Sequence, residues 1–296
     1  MRAPLPVPQH KGLCALVETR TVRPVNTRTG NQAKRAANDA QDSTAVRTLA
    51  RFGYAANGLV HILIGVIALG VARGGGGEAD QGGALGSLAD QPGGVVVLWV
   101  CTVGLFGLAL WGLLEAFLVV RGDSAAKRWG SRLKEIGKAI VYAALGVTAL
   151  RFATGSGSSS SESSESASAK VLSAPGGVVL LVVVGLAVLA VGVVFVFRGA
   201  TKKFLENIDE PAGTAGTVVT WLGIVGYIAK GIVLAVLGVL IVVAAVQHDP
   251  EQAGGLDEAL KTLVELPFGV PLLAFVAIGL IAYGIFCFAR ARWPRL

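Results

Sequence analysis

The chain is short of charge. Only 15% of its 296 residues are Asp, Glu, Lys or Arg, against 53% that are hydrophobic, whereas a soluble domain carries about 25% charged residues. With a mean hydropathy of +0.65, that scarcity excludes an ordinary soluble domain and points to the bilayer. Cysteine is almost as scarce: Cys14, Cys101 and Cys287 stand far apart, at none of the spacings that make zinc sites or disulfide frameworks. The three histidines, His10, His61 and His248, are equally dispersed, so no nucleophile–base pair and no set of metal ligands fall together. The glycine run at 74–77 follows no strand and is therefore no phosphate loop. No catalytic residue, cofactor or metal site is expected, and an enzyme is not the expected class. The region before the first apolar stretch also lacks the apolar core of about seven to fifteen residues that a signal peptide needs, its best run being Leu13–Val17. The first span is thus expected to serve as an uncleaved anchor.

What the chain does have is a repeat. The segment Arg51–Leu69 aligns with Arg132–Leu150 and with Ile224–Leu240, which brings Gly65, Gly146 and Gly238 into register. Seven residues upstream Gly58, Ala139 and Gly231 coincide, next to Asn57, Lys138 and Lys230. A triplicated unit governs every later step of the reading.

Six apolar runs are long enough to cross a hydrocarbon core of about 30 Å: 54–72, 93–120, 136–153, 176–197, 217–246 and 268–289. In lipid each must be helical, because an unpaired backbone polar group there costs several kcal/mol. The expected fold is an all-α polytopic membrane protein, six transmembrane helices in three tandem two-helix repeats. Residues 46–122, 131–203 and 217–291 form the repeats, after a polar, proline-containing tail over 1–45 expected to be disordered. Each repeat has two spans, so all three run the same way, and a pseudo-threefold axis along the membrane normal is open to them.

All but five of the 26 Lys and Arg (Arg73, Arg151, Lys170, Lys230 and Lys261) fall on one side of these spans. The net charge of +7 therefore reports topology, not nucleic-acid binding. The positive-inside rule puts both termini in the cytoplasm. The three opposite loops each end in a proline, Pro92, Pro175 and Pro267, expected in the first turn of the following span. Before it, residues 84–89 and 258–264 space leucines for short amphipathic helices at the interface. The serine-rich stretch 155–169 of the middle repeat is expected to be a flexible linker by composition.

Arg51–His61, the following Ile-Gly-Val-Ile-Ala-Leu, the glycine-rich helix before Pro92, and Gly104-Leu with Leu110-Trp in the next span together resemble the bacterial DUF1206 family. The resemblance covers about residue 46 to the C-terminus and is weakest in the second repeat, where Lys134 and Glu135 replace a Gly-Tyr pair. It implies a membrane protein of three tandem two-helix units. The family is of unknown function, so the resemblance implies no substrate.

Two sets of residues stand out within the spans. Gly58, Gly65, Ala139, Gly146, Gly231 and Gly238 line one helix face per repeat, as small residues do where helix backbones approach. Asn57, His61, Glu115, Lys138 and Lys230 are the candidate intramembrane polar layer, since ionisable groups in a span face the bundle interior or water. Glu115 is expected to face Lys138 or Lys230. A structural ion pair and lysines reaching the headgroups are the competing account of the same residues. Two function classes follow. One is a non-enzymatic structural or accessory membrane component, surrounded by the lipid bilayer and associated with a membrane-protein partner or with further copies of itself. The alternative is a small-solute or ion pathway through the polar layer.

Overall fold

The computed structural model describes residues 44–294 apart from residues 119–124, 159, 210 and 254. The tail expected over 1–45 lies almost wholly outside the described residues. Among the described residues there are nine α-helices: α1 (Thr44–Ala72), α2 (Gln81–Ala89), α3 (Gly94–Leu118), α4 (Ala125–Ala153), α5 (Ser160–Leu172), α6 (Gly177–Ala200), α7 (Thr214–Gln247), α8 (Gly255–Glu265) and α9 (Gly269–Arg292). Six of them, α1, α3, α4, α6, α7 and α9, are long and apolar enough to cross a membrane. The protein is an all-α multi-pass membrane protein. The short helices α2, α5 and α8 lie at one end of the bundle, the capped end; the opposite, basic end carries Arg51, Lys134, Arg198, Lys202, Arg290 and Arg292.

The spans pack in the cyclic order α4, α3, α1, α9, α7, α6. The most extensive seams join consecutive repeats: α3 with α4, α6 with α7, and α9 with α1. Small residues set these distances. A Cβ on Gly58 would stand 2.7 Å from the Gly284 carbonyl oxygen, and one on Gly231 would stand 2.7 Å from that of Gly192. One pair further along, Gly65 faces Ala277 and Gly238 faces Gly185. At the third seam the residues in the first register are Ala139 and Ala109, and Gly146 only meets the Phe106 ring at 3.3 Å. Lipid gives no hydrophobic drive to helix association, so close backbone approach and dispersion must supply it.

Within repeats the pattern is uneven. The spans of the first repeat meet where Gly53 lies against Gly104, and those of the third where Gly226 lies against Tyr283 and Gly279 against Ala229. The two spans of the middle repeat form no such seam among the described residues. The cause is in the register: Lys134 occupies the position of Gly53 and Gly226, and Ala187 that of Gly104 and Gly279.

Two local expectations need correction. The prolines do not begin the spans. Pro92 and Pro175 each occupy the second position of a tight turn closed by Gly94 N–H to Gln91 C=O (2.8 Å) and Gly177 N–H to Ala174 C=O (2.9 Å), with Gly93 and Gly176 at positive φ. This is the Pro–Gly chemistry of a type II turn. In the third repeat Phe268 takes that left-handed position at φ 62°, with Gly269 N–H closing on Leu266 C=O at 2.7 Å. The serine-rich stretch is also no linker: 160–172 is helix α5. Composition misleads here because tertiary contacts hold it. Ser161 Oγ donates to Asp80 Oδ2 (3.4 Å), Ser168 is buried, and the absent side chain of Gly82 admits the Ser160 backbone.

The cap joins all three repeats. Asp257 at the start of α8 accepts from the Ala79 amide of the first repeat (2.8 Å) and pairs with Lys261 (2.6 Å), while Asp80 caps α2 through the Gly83 amide (2.8 Å). The hydrogen bond from Lys261 to Asp257 holds the lysine above its usual range. Burial pushes the Asp80 carboxyl above the usual carboxylate range; the Gly83 amide opposes this, and Glu78 and Asp257 add to it.

Two outcomes are expected from detergent melting. Left-handed backbone at a non-glycine residue costs about 1–2 kcal/mol, so Phe268→Gly should raise the melting temperature. Gly94→Ala should lower it, because a Cβ there would collide with the Leu88 carbonyl. For Asp80, a raised folded-state pKa means that the folded cap holds the proton more tightly than the unfolded chain. The stabilisation is therefore full below about pH 4, the unfolded value, and is lost as pH rises through the folded value. Asn caps a helix as well as Asp and stays neutral, so Asp80→Asn should melt higher at neutral pH and show a flatter pH profile.

Candidate functional site

The interior of the basic half of the bundle collects the polar side chains of the spans. All four tyrosines of the chain turn inward: Tyr54, Tyr227 and Tyr283 are buried and Tyr142 packs against the Tyr54 cluster. Tyr227 stacks between Phe195 (5.3 Å) and Phe204 (5.0 Å), with Tyr283 and Phe286 edge-on to it.

Within this aromatic setting Asn57, His61 and Lys230 meet. The His61 Nδ1 lies 2.8 Å from the Asn57 carbonyl oxygen, one turn back on α1. A carbonyl only accepts, so Nδ1 carries the hydrogen and Nε2 is left as the acceptor. Lys230 Nζ lies 2.9 Å from that Nε2 and so donates to it. The lysine crosses from α7 to α1 over the ring of Tyr283, 4.3 Å from its centroid, with Phe195 at 5.5 Å on another side. The rings of His61 and Tyr283 are 4.8 Å apart. The side-chain amide of Asn57 donates to Cys287 Sγ on α9 (3.4 Å). One cluster thus ties the first span of the first repeat to both spans of the third. At about 1.5 Å per residue, Asn57 and His61 lie about 9 and 15 Å beyond Arg51.

The remaining members of the layer lie on a different flank. Lys138 pairs with Glu135 one turn back on its own helix (2.6 Å), and Glu135 is buried. Glu115 lies within electrostatic range of Lys138. Among the described residues no carboxylate forms an ion pair with Lys230. The structure therefore brings Asn57, His61 and Lys230 together and places Glu115 and Lys138 around Glu135.

Sequence reasoning overlooked Arg290. Its Nη2 donates to the Tyr54 hydroxyl (3.1 Å), and its guanidinium lies 4.2 Å from the centroid of that ring. A signal for it exists: counted from the glycine two residues after each proline, Glu115, Arg198 and Arg290 share one position. Each belongs to a second span and faces the first span of the next repeat, Glu115 near Lys138, Arg198 near Tyr227 and Arg290 on Tyr54. The cyclic relation holds in the side chains as well as in the helix order. A separate apolar groove of about 470 Å³, lined by Val218, Leu222, Ile285 and Phe288 among others, lies between α7 and α9 away from the cluster.

The family model for a domain of unknown function, DUF1206, matches residues 52–118, 134–202 and 225–294. An uncharacterized protein of Bacillus subtilis (strain 168), YxxB, is 31% identical over 254 residues, covering 85% of this chain and 92% of its own. No solved structure matches the chain.

A double-mutant cycle tests the cluster. Lys230→Met leaves only a buried, unpaired histidine acceptor, at a cost of about 1–3 kcal/mol. His61→Phe leaves a half-buried ammonium without its acceptor and should likewise cost about 1–3 kcal/mol. The double variant should melt clearly higher than the sum of the two losses predicts; strict additivity would show that the two side chains do not interact.

Proposed function

The chain belongs to the DUF1206 family, and on that footing we propose that it is a non-enzymatic structural or accessory component of the bacterial inner membrane, with both termini in the cytoplasm. One observation carries the reading: the polar side chains that converge in the spans are engaged with one another. Both ring nitrogens of His61 are occupied, one by its own helix and one by Lys230, so it has no free lone pair with which to act as a base. A hydrogen-bonded cross-tie in lipid suits a part that holds repeats in register. The orientation is supported by the basic end of the bundle.

A second reading, a small-solute or ion pathway, is favoured by Lys230 itself, an ammonium within a span whose partner is a neutral imidazole. Ionisable groups at such depth commonly serve transport. Two measurements separate the readings. Purified from native membranes in mild detergent, the tagged chain should carry a stoichiometric membrane protein or a defined number of copies of itself. Reconstituted alone into vesicles, it should leave trapped ions in place; ion release lost in Lys230→Met would overturn the accessory reading. Single cysteines at Gly76 and Ser156 should react with an impermeant reagent from outside the cell and one at Lys202 should not.

A further inference from the structure

The two spans of the third repeat are closed in the middle and open at one end. Gly226 lies against Tyr283 and Gly279 against Ala229, yet nearer the basic end the apolar groove of about 470 Å³ separates α7 from α9. Its walls run from Thr214 to Leu222 on α7 and from Ile285 to Trp293 on α9. The first repeat shows why this stretch opens. There Leu49 packs onto Gly107, which has no room for a Cβ. Leu222 has the register of Leu49, but Ala282 has that of Gly107, so a methyl group stands where the leucine would go. On the inner side Phe204 fills the space, its ring against Gly223 and T-shaped to Phe286 (5.3 Å).

The groove has a depth, an opening and a charged rim. From Thr214 to Leu222 the wall is about 12 Å long at 1.5 Å per residue, close to the half of a hydrocarbon core of about 30 Å that belongs to one leaflet. Val218, Ile285 and Phe288 are exposed, so the groove faces the hydrocarbon. Val219 and Leu222 form part of its lining and pack on the aromatic group of Phe204 and Tyr227. Among the described residues that line it the charged one is Arg292, whose guanidinium lies 5.6 Å from the Trp293 ring centroid. This is the end of the span, where tryptophan marks the membrane interface. The rim is held in place by the Asp209 amide, which donates to the Trp293 carbonyl (3.1 Å).

We propose that this groove holds one acyl chain of a phospholipid from the leaflet at the basic end, with the phosphate of that lipid on Arg292. The volume argues against a neighbouring helix as occupant, because a cylinder about 10 Å across and 12 Å long displaces about 900 Å³, roughly twice the space available. A flexible chain entering from the bilayer meets a wholly apolar wall over the depth of its own leaflet. Its phosphate then lies at the level of the rim, where a guanidinium binds phosphate through directed N–H groups. The lipid supplies the packing that Leu222 cannot make, and it stabilises the folded chain by binding that state alone.

The test uses the full chain in detergent, delipidated and offered phosphatidylglycerol or a diacylglycerol with the same acyl chains, with bound lipid counted by native mass spectrometry. One phosphatidylglycerol per chain should be retained, with about tenfold preference over diacylglycerol, the worth of one charge-assisted hydrogen bond, and it should raise the melting temperature. Arg292→Gln should abolish the preference. Val218→Trp fills the groove from one exposed wall and Ile285→Trp from the other. Each should expel both lipids and remove the rise in melting temperature, while the lipid-free chain melts as before. Equal retention of the two lipids, a preference that survives Arg292→Gln, or phosphatidylglycerol retained by both tryptophan variants would overturn the proposal. So would a concentration-dependent dimer that Val218→Trp disperses, which would assign the groove to a second copy.

Discussion

Everything in this bundle hangs on how closely two backbones can approach at the seams between repeats. At Gly58 with Gly284 and at Gly231 with Gly192 there is no room for a Cβ on either partner. Such contact gives each helix a large area of dispersion in a solvent that offers no hydrophobic drive. It also fixes the functional geometry. With α9 drawn against α1, Cys287 comes within reach of Asn57 and Tyr283 lies beside His61. With α7 against α9, Lys230 completes the cluster across the Tyr283 ring. A side chain at Gly58 would separate α1 from α9 and pull the polar groups apart at the same time.

The polar cluster follows from that closeness and adds selectivity to it. A lysine and a histidine in the spans are tolerable only if their polar atoms are satisfied, and the Nδ1–H tautomer of His61 satisfies three groups in sequence: its own helix carbonyl, its ring and the ammonium. Dispersion between small residues is tolerant of slippage along a helix, whereas this hydrogen-bond chain exists in one register. Arg290 on Tyr54 repeats the device one turn nearer the basic end.

The repeats have diverged unequally, and the divergence has structural consequences. In the first and third, glycine at the Gly53 and Gly226 positions lets the two spans of a repeat meet. In the middle repeat a lysine stands there, the Tyr becomes Glu135, and the spans part. The ring is closed everywhere else, and α5, the serine-rich helix, braces the capped end by contacts with α2, α6 and α8. Two replacements of glycine, by Lys134 and by Ala187, thus turn an internal seam into a surface open to lipid.

The sequence by itself determined the class, the six spans and the threefold repetition. Hydropathy and period are local properties, and in lipid a long apolar run has no alternative to helix. It also marked the small residues, because glycine at a seven-residue interval is visible without coordinates. Three things were decided only in three dimensions. Helix α5 forms because Gly82 and Asp80 of another repeat receive it, so serine composition alone misread it. Glu135, three residues before Lys138 of the expected layer, takes that lysine, since an acid one turn away on the same helix reaches it without any interhelical fit. Lys230 takes His61, a pairing across 169 residues, because which repeats face one another is set by the cyclic packing order of the seams and not by spacing along the chain.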